Sequence, residues 1–321
     1  MEQDPIRFDQ PTSRAFAGMT RVLFQPFEIG KWFVLGFSAW LAGLFNQGGS
    51  SGGSSSYDGS SDDETEGGGG NEGTESIGDY LEGFLEWAQG HLAIVIGIGV
   101  LILIVIGVII ALLWVSSRGK FMFLDNVVHN RALVRVPWKQ FRKTGNSLFW
   151  WRLTWGVTVI LLILLIAGGL AYLIFTGIRG GVWSANAIAG SIALGLTLVT
   201  VSLIAGYIWM LLEDFVIPLM YKNSMSTTQA WSCLLQIHRN TMGKFVLYFL
   251  WKFLLSIAAL VGIFALGFGT CCIGFLLMAI PYIGAVLLLP MSVFFRFLGP
   301  EFLRQFGPDY DVFTFPEERV L

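Results

Sequence analysis

Residues 91–117 read HLAIVIGIGVLILIVIGVIIALLWVSS, and none of them is a lysine, arginine, aspartate or glutamate. An α-helix rises about 1.5 Å per residue, so about 20 mostly apolar residues reach across the ~30 Å hydrocarbon core of a bilayer. The stretch therefore predicts a membrane-spanning helix, and its flanks predict which way it runs. Upstream the chain is acidic and rich in glycine and serine, whereas residues 118–152 carry eight lysines and arginines. Basic residues in short loops stay on the cytoplasmic side. The helix is thus expected to begin outside and end inside.

Working outward in both directions, five more runs satisfy the length criterion. Together the expected spans are 27–46, 91–117, 148–178, 186–212, 245–269 and 273–298. The first is the weakest, because Lys31 cuts its uncharged stretch to 15 residues. The third exceeds the core thickness and should tilt. Apolar residues make up 54% of the chain and charged residues 13%, too little charge to cover a soluble surface. The fold class expected is all-α, a polytopic transmembrane bundle of six spans with short amphipathic interfacial helices. Its segments are a cytoplasmic stretch 1–26, a membrane domain 27–298 and a cytoplasmic tail 299–321. No cleavable signal peptide is expected, since the first run starts late, near Phe27, and lacks a small-x-small exit.

Assigned to these spans, 19 of the 20 basic residues fall on one side, and only Arg179 falls on the other. That split predicts both termini in the cytoplasm. On the opposite side, residues 46–76 (NQGGSSGGSSSYDGSSDDETEGGGGNEGTES) contain no lysine or arginine. Such a segment buries too little apolar surface to offset its ordering entropy, and a disordered extracytoplasmic loop is expected. Its DDETE cluster lacks the spaced ligands of a calcium loop. An amphipathic helix should follow, with Ile77, Tyr80, Leu81, Phe84, Leu85 and Ala88 on one face and Ser76 and Asp79 spaced as a capping box.

Three interfacial segments are expected before the odd-numbered spans. The first, 12–25, would present Phe16, Met19, Val22 and Leu23 on one side and Arg14 and Arg21 on the other. The second, 137–144, opens on Pro137 and carries Trp138 and Phe141; the third, 226–239, begins with the capping spacing Ser226-x-x-Gln229. Basic flanks suit them to anionic lipid headgroups on the cytoplasmic side. IGKWFVLGF (29–37) and MGKFVLYF (242–249) share Gly-Lys-aromatic at the start of a span. Either they mark a repeated hairpin or they are the flanks any membrane hairpin needs.

Charges inside spans are functional candidates by default. Glu213 and Asp214 close the fourth span, four residues before Pro218, and Lys252 lies two turns into the fifth. This membrane-interface cluster is either structural, paired with Arg152 or Lys252, or a site for an ion or solute. Arg296 and Lys252 are expected to snorkel to the interface. Ala185, Ala189 and Ala193 form a small-residue ladder, glycines 262, 267 and 269 populate the fifth span, and Pro281 and Pro290 should kink the sixth. No H-E-x-x-H, G-x-S-x-G or phosphate-loop pattern occurs, and Cys233, Cys271 and Cys272 lack metal spacing. No catalytic, cofactor-binding or metal-binding residue is assigned, no enzyme is expected, and the basic run 131–143 reads as a membrane-facing surface with no nucleic acid.

RVLFQPFEIGKWFVLGFSAWLAGL (21–44), PWKQF (137–141), AWSCLLQIHRN (230–240) and FFRFLGPEFLRQFGPDYDVF (294–313) resemble bacterial multi-pass membrane proteins classed as domains of unknown function. More distantly they are similar to the membrane-anchoring domain of glycerophosphodiester phosphodiesterases, whose catalytic domain has no counterpart here. The resemblance implies a bacterial plasma membrane and no activity. Two functions stand as expectations. One is a non-enzymatic assembly or envelope-organising module, partnered with lipid, a second copy or another membrane protein. The other is a transporter or channel for a small or amphiphilic solute. They separate on whether Glu213, Asp214 and Lys252 face a common cavity or lipid headgroups.

Overall fold

The computed structural model describes residues 8–44, 77–179, 185–270 and 272–313. These residues form helices and their connections, with no strand among them, as the all-α reading requires. The acidic loop 46–76, its Ser76 cap and Cys271 lie outside the described residues. In chain order the helices are α1 (Asp9–Phe24), α2 (Ile29–Gly43), α3 (Ile77–Gly90), α4 (Leu92–Val128), α5 (Arg135–Gln140), α6 (Arg142–Arg179) and α7 (Ala185–Leu211). A π-helical turn, Leu212–Val216, joins α7 to α8 (Ile217–Asn223). Then come α9 (Thr227–Gly269), α10 (Ile273–Ala279), α11 (Pro281–Leu287) and α12 (Leu289–Leu303).

Four helices are long and apolar enough to cross a membrane: Leu92–Val128, Arg142–Gly177, Ala187–Asn223 and Thr227–Gly269. The expected count of six is not confirmed, because the first and last runs fall short of this criterion. Helix α2 has 15 residues, a rise of about 22 Å at 1.5 Å each, which is short of the hydrocarbon thickness. The last run is cut into α10, α11 and α12. Proline disfavours helix at the residue before it, and Ile280, ahead of Pro281, is extended (φ −79°, ψ 113°). Pro290 in turn sits in the first turn of α12, where a missing N–H costs nothing. At Leu288 the chain bends by 64° between α11 and the helical stretch Leu289–Phe306, so this pair makes at most a fifth, broken crossing. The two prolines break the run where the sequence predicted kinks.

The chain divides into two compact units, residues 52–112 and residues 1–51 with 113–321. In the smaller unit every residue from Ile96 to Leu112 is exposed, as a lipid-facing helix requires. In the larger unit the core gathers α1, α2, the last turns of α4, the π turn, α8, α9 and α12. Helix α1 packs along α12, α2 against α11, and α6 against α7. Phe302 anchors an aromatic cluster, its ring 4.6 Å from Tyr248 and 5.8 Å from both Phe215 and Phe245.

Local signals held up unevenly. Ser226 and Gln229 form the reciprocal capping box, and α9 breaks at Thr241 (φ −136°, ψ 29°), so the expected third interfacial segment and fifth span are separate helical pieces. In α1, Met19, Val22 and Leu23 are buried but Phe16 is exposed; Ala15 takes the inward position instead. Pro137 is the third residue of α5, not the first. The ladder Ala185, Ala189, Ala193 is exposed, and α6 and α7 meet elsewhere: a Cβ on Gly190 would lie 3.1 Å from Leu173, and one on Gly169 3.5 Å from Leu194.

Candidate functional site

Glu213 and Asp214 are consecutive, yet they serve different neighbours. Pro218 has no N–H to offer the Asp214 carbonyl four residues earlier, and the helix loosens into the π turn, closed by Ile217 N–H donating to the Leu212 carbonyl. Gly299 of α12 lies against the Asp214 backbone, where a Cβ would collide. Both carboxylates are buried, at 7% and 6% exposure.

Asp214 faces α9. Lys252 Nζ donates to its two oxygens at 2.7 and 2.6 Å, and the Tyr248 hydroxyl donates to Oδ2 at 2.9 Å. The predicted partnership with Lys252 is therefore present, and Lys252 bends to this carboxylate. Glu213 faces α4 and α12. It is bonded by the Lys120 ammonium, and Arg296 Nη1 lies 3.8 Å from its second oxygen. Arg296 also fixes the backbone, donating from Nη2 to the Lys120 carbonyl at 2.9 Å and from Nη1 to the Glu213 carbonyl at 3.4 Å. Its side chain is only 10% exposed, which corrects the expected snorkelling to the interface.

Arg152 does not pair with either carboxylate directly. Its Nη1 donates to the hydroxyls of Ser116 (3.3 Å) and Ser117 (3.1 Å), and its guanidinium lies 5.1 Å from the Trp209 ring centre. Lys120 stands 5.8 Å from the same ring. Arg152 is 1% exposed, and its Nε and Nη2 have no hydrogen-bond partner. Sequence reading left Lys120 and Arg296 out of the site, since each lies near a span end and was counted as a cytoplasmic flank; it named Arg152 only as a candidate partner of the carboxylates. The signal available for Arg152 was its setting in FWWRLTW, an arginine enclosed by apolar and aromatic residues.

These groups border a cavity of about 660 Å³ within the larger unit. Lys120, Glu213, Asp214, Lys252 and Arg296 line one part of it; Trp40, Trp209, Phe249, Phe253, Met278 and Leu288 are among the residues lining the rest. Taking an ion out of water costs several kcal/mol even after relaxation, on the order given for buried pairs. The cluster holds four cations (Lys120, Arg152, Lys252, Arg296) around two carboxylates. Both carboxylates are taken up by cations, so the arrangement is suited to holding an anion rather than a metal ion. Among the described residues, no group of three or more His, Cys, Asp or Glu could hold a metal.

A second polar knot ties the end of α4 to α8. Arg131 grips Asp125 through Nη2 at 2.7 Å, and the Tyr221 hydroxyl donates to Asp125 Oδ1 at 2.8 Å. None of its three residues lines the cavity, and it reads as a structural clasp.

The model of a family described as a family of unknown function (DUF7544) matches residues 12–304. No curated protein and no solved structure matches the chain. The resemblance to domains of unknown function is thus upheld, and the more distant likeness to the phosphodiesterase anchoring domain is not shown. The matched span takes in every residue of the cluster from Lys120 to Arg296, and the chain belongs to the DUF7544 family of unknown function.

Proposed function

We propose that this protein is a non-enzymatic membrane module that binds, and by opening passes, a small or amphiphilic solute. The observation that carries the reading is that Glu213, Asp214 and Lys252 share one cavity wall with Lys120 and Arg296. A bundle serving only assembly or envelope organisation has little use for two buried cations, Lys120 and Arg152, with the part-buried Lys252 and Arg296 beside them, since desolvating each is costly. Charged side chains within membrane-spanning helices are candidates for a solute pathway by default. In this reading both termini are cytoplasmic, and α2 with the broken α10–α11–α12 run completes six passages as paired short segments. Helix α2 packs on α11, as two such segments would.

Cysteine accessibility tests this reading. Ser256→Cys and Ser292→Cys, each lining the cavity, are placed in a chain with Cys233, Cys271 and Cys272 replaced by alanine. Both should react with a small water-soluble thiol reagent in membranes, while Leu165→Cys, at a 74% exposed position in the apolar stretch of α6, stays unlabelled. A cavity that excludes the reagent at both positions is a sealed core, and the solute reading is then lost.

A further inference from the structure

We infer that the solute is an amphiphile with a dianionic head, a phosphate monoester on an apolar chain; this rests on the solute-binding reading above. The first ground is charge. Lys120, Lys252 and Arg296 line the cavity with Glu213 and Asp214, and Arg152 stands behind Trp209, leaving two positive charges in excess around it. A phosphate monoester carries about −1.5 to −2 at pH 7 on one compact group, which matches that excess at one place.

The second ground is a buried donor left without a partner. Arg296 spends Nη1 and Nη2 on the carbonyls of Glu213 and Lys120, so its guanidinium is fixed, and its buried Nε has no partner. The side chain is nine-tenths buried and forms part of the cavity wall. Rigid guanidinium donors beside an ammonium are the usual recognition set for phosphate oxygens. Arg152 adds charge from behind Trp209, whose ring lines the cavity 5.1 Å from the guanidinium.

The third ground is the other half of the lining. Trp40, Phe249, Phe253, Met278, Ala285 and Leu288 offer no charge, so a bare anion would leave that space without a complementary filling. An alkyl chain fills it. The cavity, about 660 Å³, falls in the range of roughly 300–1,000 Å³ common for ligand pockets.

The test uses the full chain in nanodiscs of zwitterionic phosphatidylcholine and measures equilibrium binding of radiolabelled dodecyl phosphate. Saturable binding of one molecule per chain is expected, with inorganic phosphate, dodecanol and dodecyltrimethylammonium each weaker by about tenfold or more, as for a lost charged hydrogen bond. Arg296→Gln should weaken dodecyl phosphate by about tenfold on the same grounds. Ala285→Phe, which leaves the charged cluster intact, should abolish dodecyl phosphate binding and spare weak binding of inorganic phosphate. Equal binding of dodecanol or the cationic amphiphile overturns the dianionic head. Inorganic phosphate binding as tightly as dodecyl phosphate overturns the tail. Binding untouched by both variants places the ligand elsewhere and overturns the assignment. If cysteines at 256 and 292 are labelled but no probe binds, this inference fails and the solute reading stands. If they are not labelled, the solute reading itself fails.

Discussion

Helix α4 contains two halves that obey opposite rules. From Ile96 to Leu112 it is apolar and exposed throughout; from Ser116 to Val127 it is buried throughout, and that half includes Ser116, Ser117, Arg118, Lys120, Asp125 and Asn126. A water-soluble helix buries its apolar face and exposes its charges. Here lipid solvates the apolar half, and protein must supply everything that water would have given the other half. The difference teaches that in this helix the polar residues are found in the buried half, where protein rather than water must satisfy them.

The comparison breaks most severely if a buried charge loses its partner. Lys120→Ala leaves Glu213 with the more distant Arg296, and unpairing a buried ion is expected to cost about 3–5 kcal/mol, read as a lower thermal midpoint in detergent. The double variant Lys120→Met/Glu213→Leu should recover most of that loss, because a hydrophobic pair of similar volume is often neutral. If the double variant is as unstable as the single one, pairing is not what holds the buried half together.

The exposed half is broken by the reverse change. Leu103→Lys puts a charge on a side chain that is 69% exposed in the apolar stretch. A central charge costs about 2.5–3.5 kcal/mol on insertion scales, so the fraction of α4 integrated into the membrane should fall. Normal integration would mean that this half faces water.

The smallest contrast uses two glycines on the same helix. A Cβ on Gly119 would lie 2.9 Å from the α2 backbone at Leu41 and Ala42, whereas Gly107 has nothing within 4 Å. Gly119→Ala should destabilise by about 1–3 kcal/mol through overpacking. Gly107→Ala should be neutral or mildly stabilising, by up to about 1 kcal/mol from helix propensity. Equal melting points for the two variants would erase the distinction between the halves.

How much of this was legible follows from what each signal measures. Hydropathy counts consecutive residues, so it found the four long helices. It could not see the breaks at α2, where the helix stops at Gly43, and in the last run, where Ile280 and Leu288 leave helical geometry. The Ser226 cap was legible because both partners lie within one turn. The pair Asp214–Lys252 was legible as two charges that charge-free spans could not leave alone. Lys120 and Arg296 were not, since their hydrogen bond joins residues 176 apart in sequence. Flank counting treats each as a solvated charge; only the packing of α2, the π turn and α12 against the end of α4 removes the water.

The π turn at Leu212–Val216 acts as a phase shift within one continuous rod. An ordinary turn advances about 100° per residue, so Glu213 and Asp214 would be locked to the register of Trp209 and Met210 above them. The wider turn uncouples the two stretches: residues before it address the cavity with Trp209 and Met210, and residues after it address the core with Leu219, Met220 and Tyr221. A single span thereby keeps two independent azimuths, and a one-residue deletion in the turn would rotate one of them out of place without shortening the helix by more than about 1.5 Å.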